Sequence, residues 1–234
     1  RQTNELRPST FERDFTEMAL GPCLVSFGRT RVLCTASMND SVPPWLRNTG
    51  KGWVTAEYAM LPGSSSERVR RKTSGRSQEI QRLIGRSLRA IVDLKALGER
   101  EITVDCDVLQ ADGGTRTASI CGGYIALHDA CSRLIAANEI DMNPLLDELG
   151  AISVGIIDGE ARLDLPYVED AAAEVDFNVV MTGSQEFVEV QGTAEGATFN
   201  RGQLDELIGL ASAGIDEIIQ NQKKLLAVPP LPRN

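Results

Sequence analysis

Histidine is all but missing from this chain of 234 residues: there is one, His128. A Ser-His-Asp triad would have to use it, yet it sits in an apolar helical stretch, the setting of a structural histidine. Five cysteines, at positions 23, 34, 106, 121 and 131, include no C-x-x-C pair. With one histidine this argues against a four-coordinate zinc site of the usual kind, and the thiols read as small buried residues of a reduced, cytoplasmic protein. No apolar run approaches the roughly 18 to 20 residues needed to cross a bilayer. The opening RQTNELRPST is polar, without a signal-peptide core, so no membrane partner is expected. Neither G-x-x-x-x-G-K-[ST] nor G-x-G-x-x-G occurs, which excludes a P-loop and a dinucleotide fingerprint.

What is present is ordinary in bulk and uneven in detail. Hydrophobic residues make up 42% and charged residues 24%, as in a soluble globular protein with a sizeable core. The net charge of −9 argues against a simple nucleic-acid binder. The distribution says more: residues 1–100 hold 17 Lys and Arg against 10 Asp and Glu, and residues 101–234 hold 7 against 23. Such polarity fits a polyanion-guiding face beside acidic, cation-friendly chemistry, and equally a solvated surface without a task.

Periodicity supplies the elements. Residues 23–37 form a hairpin about Gly28, and 152–165 a second one turned at Asp158-Gly159. Residues 102–108 alternate apolar and polar, and 174–182 and 186–193 follow as strands. A helix from Ser77 carries Ile80, Leu83, Ile84, Leu88, Ile91 and Val92 on one face; 117–136 is apolar almost all round and reads as a buried helix. Residues 203–226 form a third, with Asn200 and Gln203 placed to cap it. Strand pairs followed by helices predict an α+β fold with mixed sheets in two β-rich halves. The last residues, VPPLPRN, read as an extended, fraying tail.

Three stretches carry chemistry. In DGGTRTAS (112–119) two glycines, hydroxyls and an arginine open the buried helix, where unpaired N–H groups favour an anion. Thr115 can donate a hydroxyl and Arg116 can fork onto two oxygens of a phosphate. The competing reading is a tight glycine turn with a threonine cap. In TSGRSQEI (73–80), Arg76 stands at another helix start, preceded by Arg68, Arg70, Arg71 and Lys72; such a run suits a phosphodiester backbone, or is a solvated loop. In YVEDAAAEVDFNVVM (167–181), Asp170 and Asp176 flank an alanine run, with Asp176 and Asn178 on the polar face of a strand. Two such carboxylates can converge on a hard cation such as Mg²⁺, with Asp164, Glu169 and Glu174 as alternatives, or are exposed acids beside a turn.

The stretches RQTNELRP, FGRTRVLCTAS, GWVTAEYAMLP, GRSQEIQRLIGRSLRA, VDCDVLQADGGTRTAS, YVEDAAAEVDFNVVMT and EVQGTAEG, in this order, resemble the bacterial ribonuclease PH family. The resemblance covers residues 1 to about 227 and extends to the core repeats of polynucleotide phosphorylase and exosome ring subunits. It implies one catalytic domain over 1–227, with 228–234 as a tail, assembled as a hexameric ring of three dimers. It further implies a phosphorolytic 3′→5′ exoribonuclease that trims tRNA precursors. Inorganic phosphate would release nucleoside 5′-diphosphates, and the reverse reaction would add nucleotides. The family's phosphate-binding residues fall on Arg76, Gly114, Thr115 and Arg116. Its acidic pair falls on Asp170 and Asp176, as Mg²⁺ site and source of general acid catalysis, and its tRNA contacts fall on Arg68, Arg70, Arg71 and Lys72. The 63–75 loop is a few residues shorter than the family's, and Gly-Arg-Ser stands where the family has Gly-Arg-Thr. Rival classes are a non-catalytic RNA-binding ring subunit, which would lack the cradle or the acids, and a small-metabolite phosphate enzyme, which would not need the basic run.

Overall fold

The computed structural model describes residues 1–195 and 198–233. Gly196, the last residue of EVQGTAEG, and Asn234, the last of the tail, lie outside them. The first half is a mixed sheet of β1 (Ser9–Arg13), β2 (Gly21–Phe27), β3 (Thr30–Asn39), β4 (Trp53–Met60) and β5 (Glu101–Gln110), in the order β1-β2-β3-β5-β4. All neighbours are antiparallel except β4 and β5. Parallel neighbours need a crossover, and α1 (Gly75–Ala90) lies within it, packed against β4. The alternation in β5 does as the sequence predicts: Ile102, Val104, Cys106 and Val108 are buried on one face.

The second half is an antiparallel sheet of β6 (Leu149–Ile157), β7 (Glu160–Leu163), β8 (Val175–Thr182) and β9 (Phe187–Ala194), ordered β7-β6-β8-β9. Helix α3 (Thr115–Ala136) lies between the halves, against β2, β3 and β5 on one side and β6 on the other. That position explains its all-round apolarity: 16 of its 22 residues are buried. Its approach to the first sheet is close, since a Cβ at Gly122 would stand 2.6 Å from Val25 Cγ1. Helix α5 (Arg201–Leu226) packs against β6, β7 and β8. As expected, Asn200 and Gln203 form its reciprocal capping box. The remaining helices, α2 (Leu94–Leu97) and α4 (Tyr167–Asp170), are single turns. Among the described residues no helix is long and apolar enough to cross a membrane.

Three differences from the sequence reading have physical causes. Helices α1, α3 and α5 start two residues earlier than expected because their caps, Ser74, Gly114 and Asn200, precede the apolar periodicity. Strands β1 and β4 are extra; β1 is short and half-exposed at the sheet edge, so its pattern is weak. Third, the tail is extended, and its described residues are hydrogen-bonded to the body of the protein. Arg13 Nη1 donates to Val228 O at 2.6 Å, Arg133 Nε to Leu231 O at 3.0 Å, and Arg233 Nη2 to Asp14 Oδ1 at 2.8 Å.

The halves are also locked at their N-terminal end. Arg7, ahead of β1, meets Asp164, just after β7: Nη2 donates to Asp164 Oδ1 at 2.6 Å and the Arg7 backbone N–H to Oδ2 at 2.8 Å. The side chains are 7% and 2% exposed. A buried pair that loses one member leaves an uncompensated charge, at a cost of about 3–5 kcal/mol. Arg7→Ala is therefore expected to lower the unfolding free energy by about 3 kcal/mol or more in urea titration. A change below about 1 kcal/mol would show that the pair is not the lock described.

Candidate active site

The loop from β5 into α3 is built on two left-handed glycines, Gly113 at φ +76° and Gly114 at φ +67°. A Cβ at Gly113 would stand 2.3 Å from Leu165 O and 2.8 Å from Tyr167 N, so only glycine allows the loop of the first half to touch the second. Thr30 fastens it: its hydroxyl accepts from Asp112 N at 2.9 Å and donates to Gly113 O at 2.6 Å. Arg7 Nη1 donates to Asp112 O at 2.6 Å. The cap residue of α3 is Gly114, with no side-chain cap, so the threonine-capped turn is overturned. By contrast, Ser74 and Asn200 cap α1 and α5. The first-turn N–H groups of α3 thus stand without a side-chain acceptor, the condition under which a helix start receives an anion.

Thr115 and Arg116 are held by residues that the sequence reading did not single out. Tyr58, 6% exposed on β4, pairs its hydroxyl with Thr115 Oγ1 at 2.9 Å. Burial raises the phenol's pKa and keeps it neutral. Arg116 Nη1 donates to Gln191 Oε1 of β9 at 2.8 Å and to Glu79 Oε1 of α1 at 3.1 Å, and Gln191 Nε2 donates to the same Glu79 oxygen at 3.1 Å. Two elements, one from each half, thus pin one edge of the guanidinium. Arg76, the second residue of α1, is exposed and lines the same cleft as Gly114, Thr115 and Arg116.

Asp170 ends α4, and Asp176 lies on the polar face of β8, opposite the buried Val175 and Phe177. Both line the cleft, whose volume is about 910 Å³. Burial, then Asp170, pushes the Asp176 carboxyl up to about 6, against the pull of Arg116 and Arg76. Burial also raises Asp170, opposed by Arg76, Arg116 and Arg7. Asp176 Oδ1 is buried with no hydrogen-bond partner among the described residues. Among those residues no group of three or more His, Cys, Asp or Glu is gathered as for a metal. The alternative ligands are occupied elsewhere. Asp164 holds Arg7, Glu169 accepts from Arg1 at 2.9 Å and from Arg162 at 3.2 Å, and Glu174 accepts from Gly159 N at 3.2 Å. Glu195, unmentioned by the sequence reading, lines the cleft and raises both aspartates.

Arg68, Arg70, Arg71 and Lys72 are exposed and do not line the cleft; they lie on the loop between Ser65–Glu67 and Arg76, which do. His128 pairs with Asp129 at 3.2 Å and is absent from the cleft wall. Of the missed residues, Tyr58 carried a signal, because the alternation of WVTAEYAM puts it on the face of Val54 and Ala56. Glu79, Gln191 and Arg7 carried none, since their partners are distant in sequence.

Family models match both halves: the 3′ exoribonuclease family, domain 1, over residues 5–132, and domain 2 of the same family over 147–214. The chain is 56% identical over 232 residues to the ribonuclease PH of Methylobacterium radiotolerans and to that of Methylorubrum populi, covering 97% of this chain and 98% of each relative. In fold it is similar to a chain of the Archaeoglobus fulgidus exosome with RNA bound to the active site. There the TM-score is 0.83 at 19% identity, covering 94% of this chain and 90% of the other. An archaeal exosome core chain gives 0.78 at 20% identity, covering 95% and 89%. The chain belongs to the 3′ exoribonuclease family, as a ribonuclease PH-type phosphorolytic enzyme with both of the family's domains.

Proposed function

We propose that this cleft performs phosphorolysis at the 3′ ends of RNA, tRNA precursors among them. The observation that carries the reading is convergence: Arg76, Gly114–Arg116, Asp170 and Asp176, drawn from four elements, line one cleft. Inorganic phosphate sits at the start of α3, held by Gly114, Thr115, Arg116 and Arg76, and attacks the terminal phosphodiester in line. A nucleoside 5′-diphosphate leaves, and the reverse reaction adds a nucleotide. Bringing one anion against another is the main barrier, and two guanidinium groups with a helix start lower it in place, without reorganisation. The guanidinium of Arg116 is already oriented by Glu79 and Gln191.

The leaving 3′ oxygen needs a proton. Asp176, whose carboxyl titrates near 6, can carry one close to neutral pH. In its ionised form the same pair suits Mg²⁺: burial raises both carboxyls, Asp170 raises Asp176 further, and the unpartnered buried oxygen of Asp176 would be relieved by a hard cation that completes its shell from water and phosphate. Bound there by Asp170 and Asp176, Mg²⁺ would neutralise charge on the transferring phosphoryl group. Arg68, Arg70, Arg71 and Lys72 form an exposed basic approach for the RNA backbone. Because the cradle comes from one half and the acids from the other, residues 1–227 work as a single catalytic unit, with 228–234 as its tail. The working form is a cytoplasmic hexameric ring. A non-catalytic ring subunit is disfavoured because cradle and acids are both intact.

Incubated with 3′-extended tRNA, the protein releases nucleoside diphosphates only when phosphate is present; monophosphates formed without phosphate would overturn the reading. Arg116→Ala and Arg76→Ala each lower phosphate-dependent turnover by about 100-fold or more, while RNA retention in filter binding holds.

Asp176→Asn abolishes turnover and has an opposite effect on stability. The folded-state pKa lies above the usual 3.8, so the ionised group costs stability; the penalty is absent below about pH 4 and full above about pH 6. Without divalent cations, the variant therefore melts higher than the parent at pH 8, its unfolding free energy greater by up to about 3 kcal/mol, and together with it near pH 3.5. A lower melting point at pH 8 contradicts the assignment.

Replacing Arg68, Arg70, Arg71 and Lys72 together by alanine reduces the slope of log K against log salt by roughly 3 for single-stranded RNA. An unchanged slope removes these residues from the RNA path.

A further inference from the structure

Tyr167 is the only aromatic residue that lines the cleft among the described residues. It is 62% exposed, whereas the other two tyrosines, Tyr58 and Tyr124, are 6% and 4% exposed. An aromatic ring left in water on the wall of a site has either no role or a partner that arrives with substrate. Its neighbour Val168, 72% exposed, lines the same wall.

The mount of the ring is fixed. Tyr167 opens the single turn α4 after Pro166, and its carbonyl accepts from Ala171 N at 2.9 Å. Its backbone nitrogen is the atom that a Cβ on Gly113 would meet at 2.8 Å, so platform and cradle touch through their main chains. The next residues of the turn are anchored too, since Glu169 is bound by Arg1 and Arg162. Tyr167 and Asp170 stand three residues apart on one helical turn, which makes their side chains neighbours at about 5–6 Å between Cβ atoms.

We infer that Tyr167 is the stacking platform for the nucleobase of the 3′-terminal nucleotide, the one that phosphorolysis removes. The inference rests on the proposed function, which places the scissile phosphodiester between the cradle and Asp170/Asp176. The base attached to that nucleotide lies within one residue's reach of Asp170, and the ring of Tyr167 is the π face available there. Stacking is also the recognition that suits a trimmer whose terminal base changes with each nucleotide removed. Every base has a π face, so a platform accepts each new end in turn, whereas hydrogen bonds to base edges would select one.

The test compares two RNA oligonucleotides that differ only in the 3′-terminal nucleotide, one with its base and one abasic, in the parent, Tyr167→Ala and Tyr167→Phe. On the normal RNA, Tyr167→Ala lowers kcat/KM by about 5- to 100-fold, through KM for RNA, with KM for phosphate within about twofold. On the abasic RNA the parent loses the same factor, and Tyr167→Ala adds no further loss. Tyr167→Phe, which keeps the ring, restores the difference between the two RNAs. An equal loss on both RNAs, or no loss on either, overturns the inference. A second readout does not depend on turnover: 2-aminopurine at the 3′ end is quenched on binding to the parent and not on binding to Tyr167→Ala. If the parent released no diphosphate, the functional reading would fall while the quenching still decided whether the base stacks. Equal quenching by both proteins sinks the platform.

Discussion

The architecture turns on one buried charge pair. Arg7 and Asp164 are almost wholly out of water, and neither can be there without the other. The same guanidinium donates to Asp112 O, so the contact that joins the halves also sets the backbone of the glycine loop ahead of α3. The two glycines then let that backbone rest against Leu165 and Tyr167. Cradle and acid pair face one another because the link between their supports tolerates no slack. A surface ion pair, worth a fraction of this and screened by salt, would not hold such a register.

Within that frame the site is arranged before substrate arrives. Arg116 is held by Glu79 and Gln191, and Thr115 by a neutral Tyr58. Glu79 partly offsets the charge of Arg116, yet it fixes the direction of the guanidinium, and directed donors stabilise a transition state more than mobile ones. The acids show the opposite balance. Burial and mutual repulsion hold Asp176 near 6 although two arginines pull it down. The cleft therefore sets two guanidinium groups beside a carboxyl that titrates close to neutral pH.

Much of this was legible in the sequence, and the parts that were not share a cause. Local periodicity and caps are short-range, so β5, the two hairpins, the buried α3 and the capping box of α5 stand where they were expected. Arg76, Thr115, Arg116, Asp170 and Asp176 were visible as residue types at helix starts and strand faces, and the cleft gathers them. Glu79, Gln191, Arg7 and Glu195 were silent because each is defined by a partner far along the chain. Asp164 was mistaken for a ligand candidate because a carboxylate looks the same in sequence whether it meets a cation or a guanidinium. The tail was expected to fray because nothing local reveals that Asp14 and Arg133 wait for it.

The separation of 157 residues between Arg7 and Asp164 bears on how the enzyme comes into being. On the ribosome the cradle loop and its arginine emerge long before the carboxylate that seats them. A nascent chain ending at residue 150 has Arg76, Thr115 and Arg116 but not Asp164, the partner of Arg7. Its Gly113–Gly114 loop lacks the seat that Leu165 and Tyr167 give it until the second half folds against it.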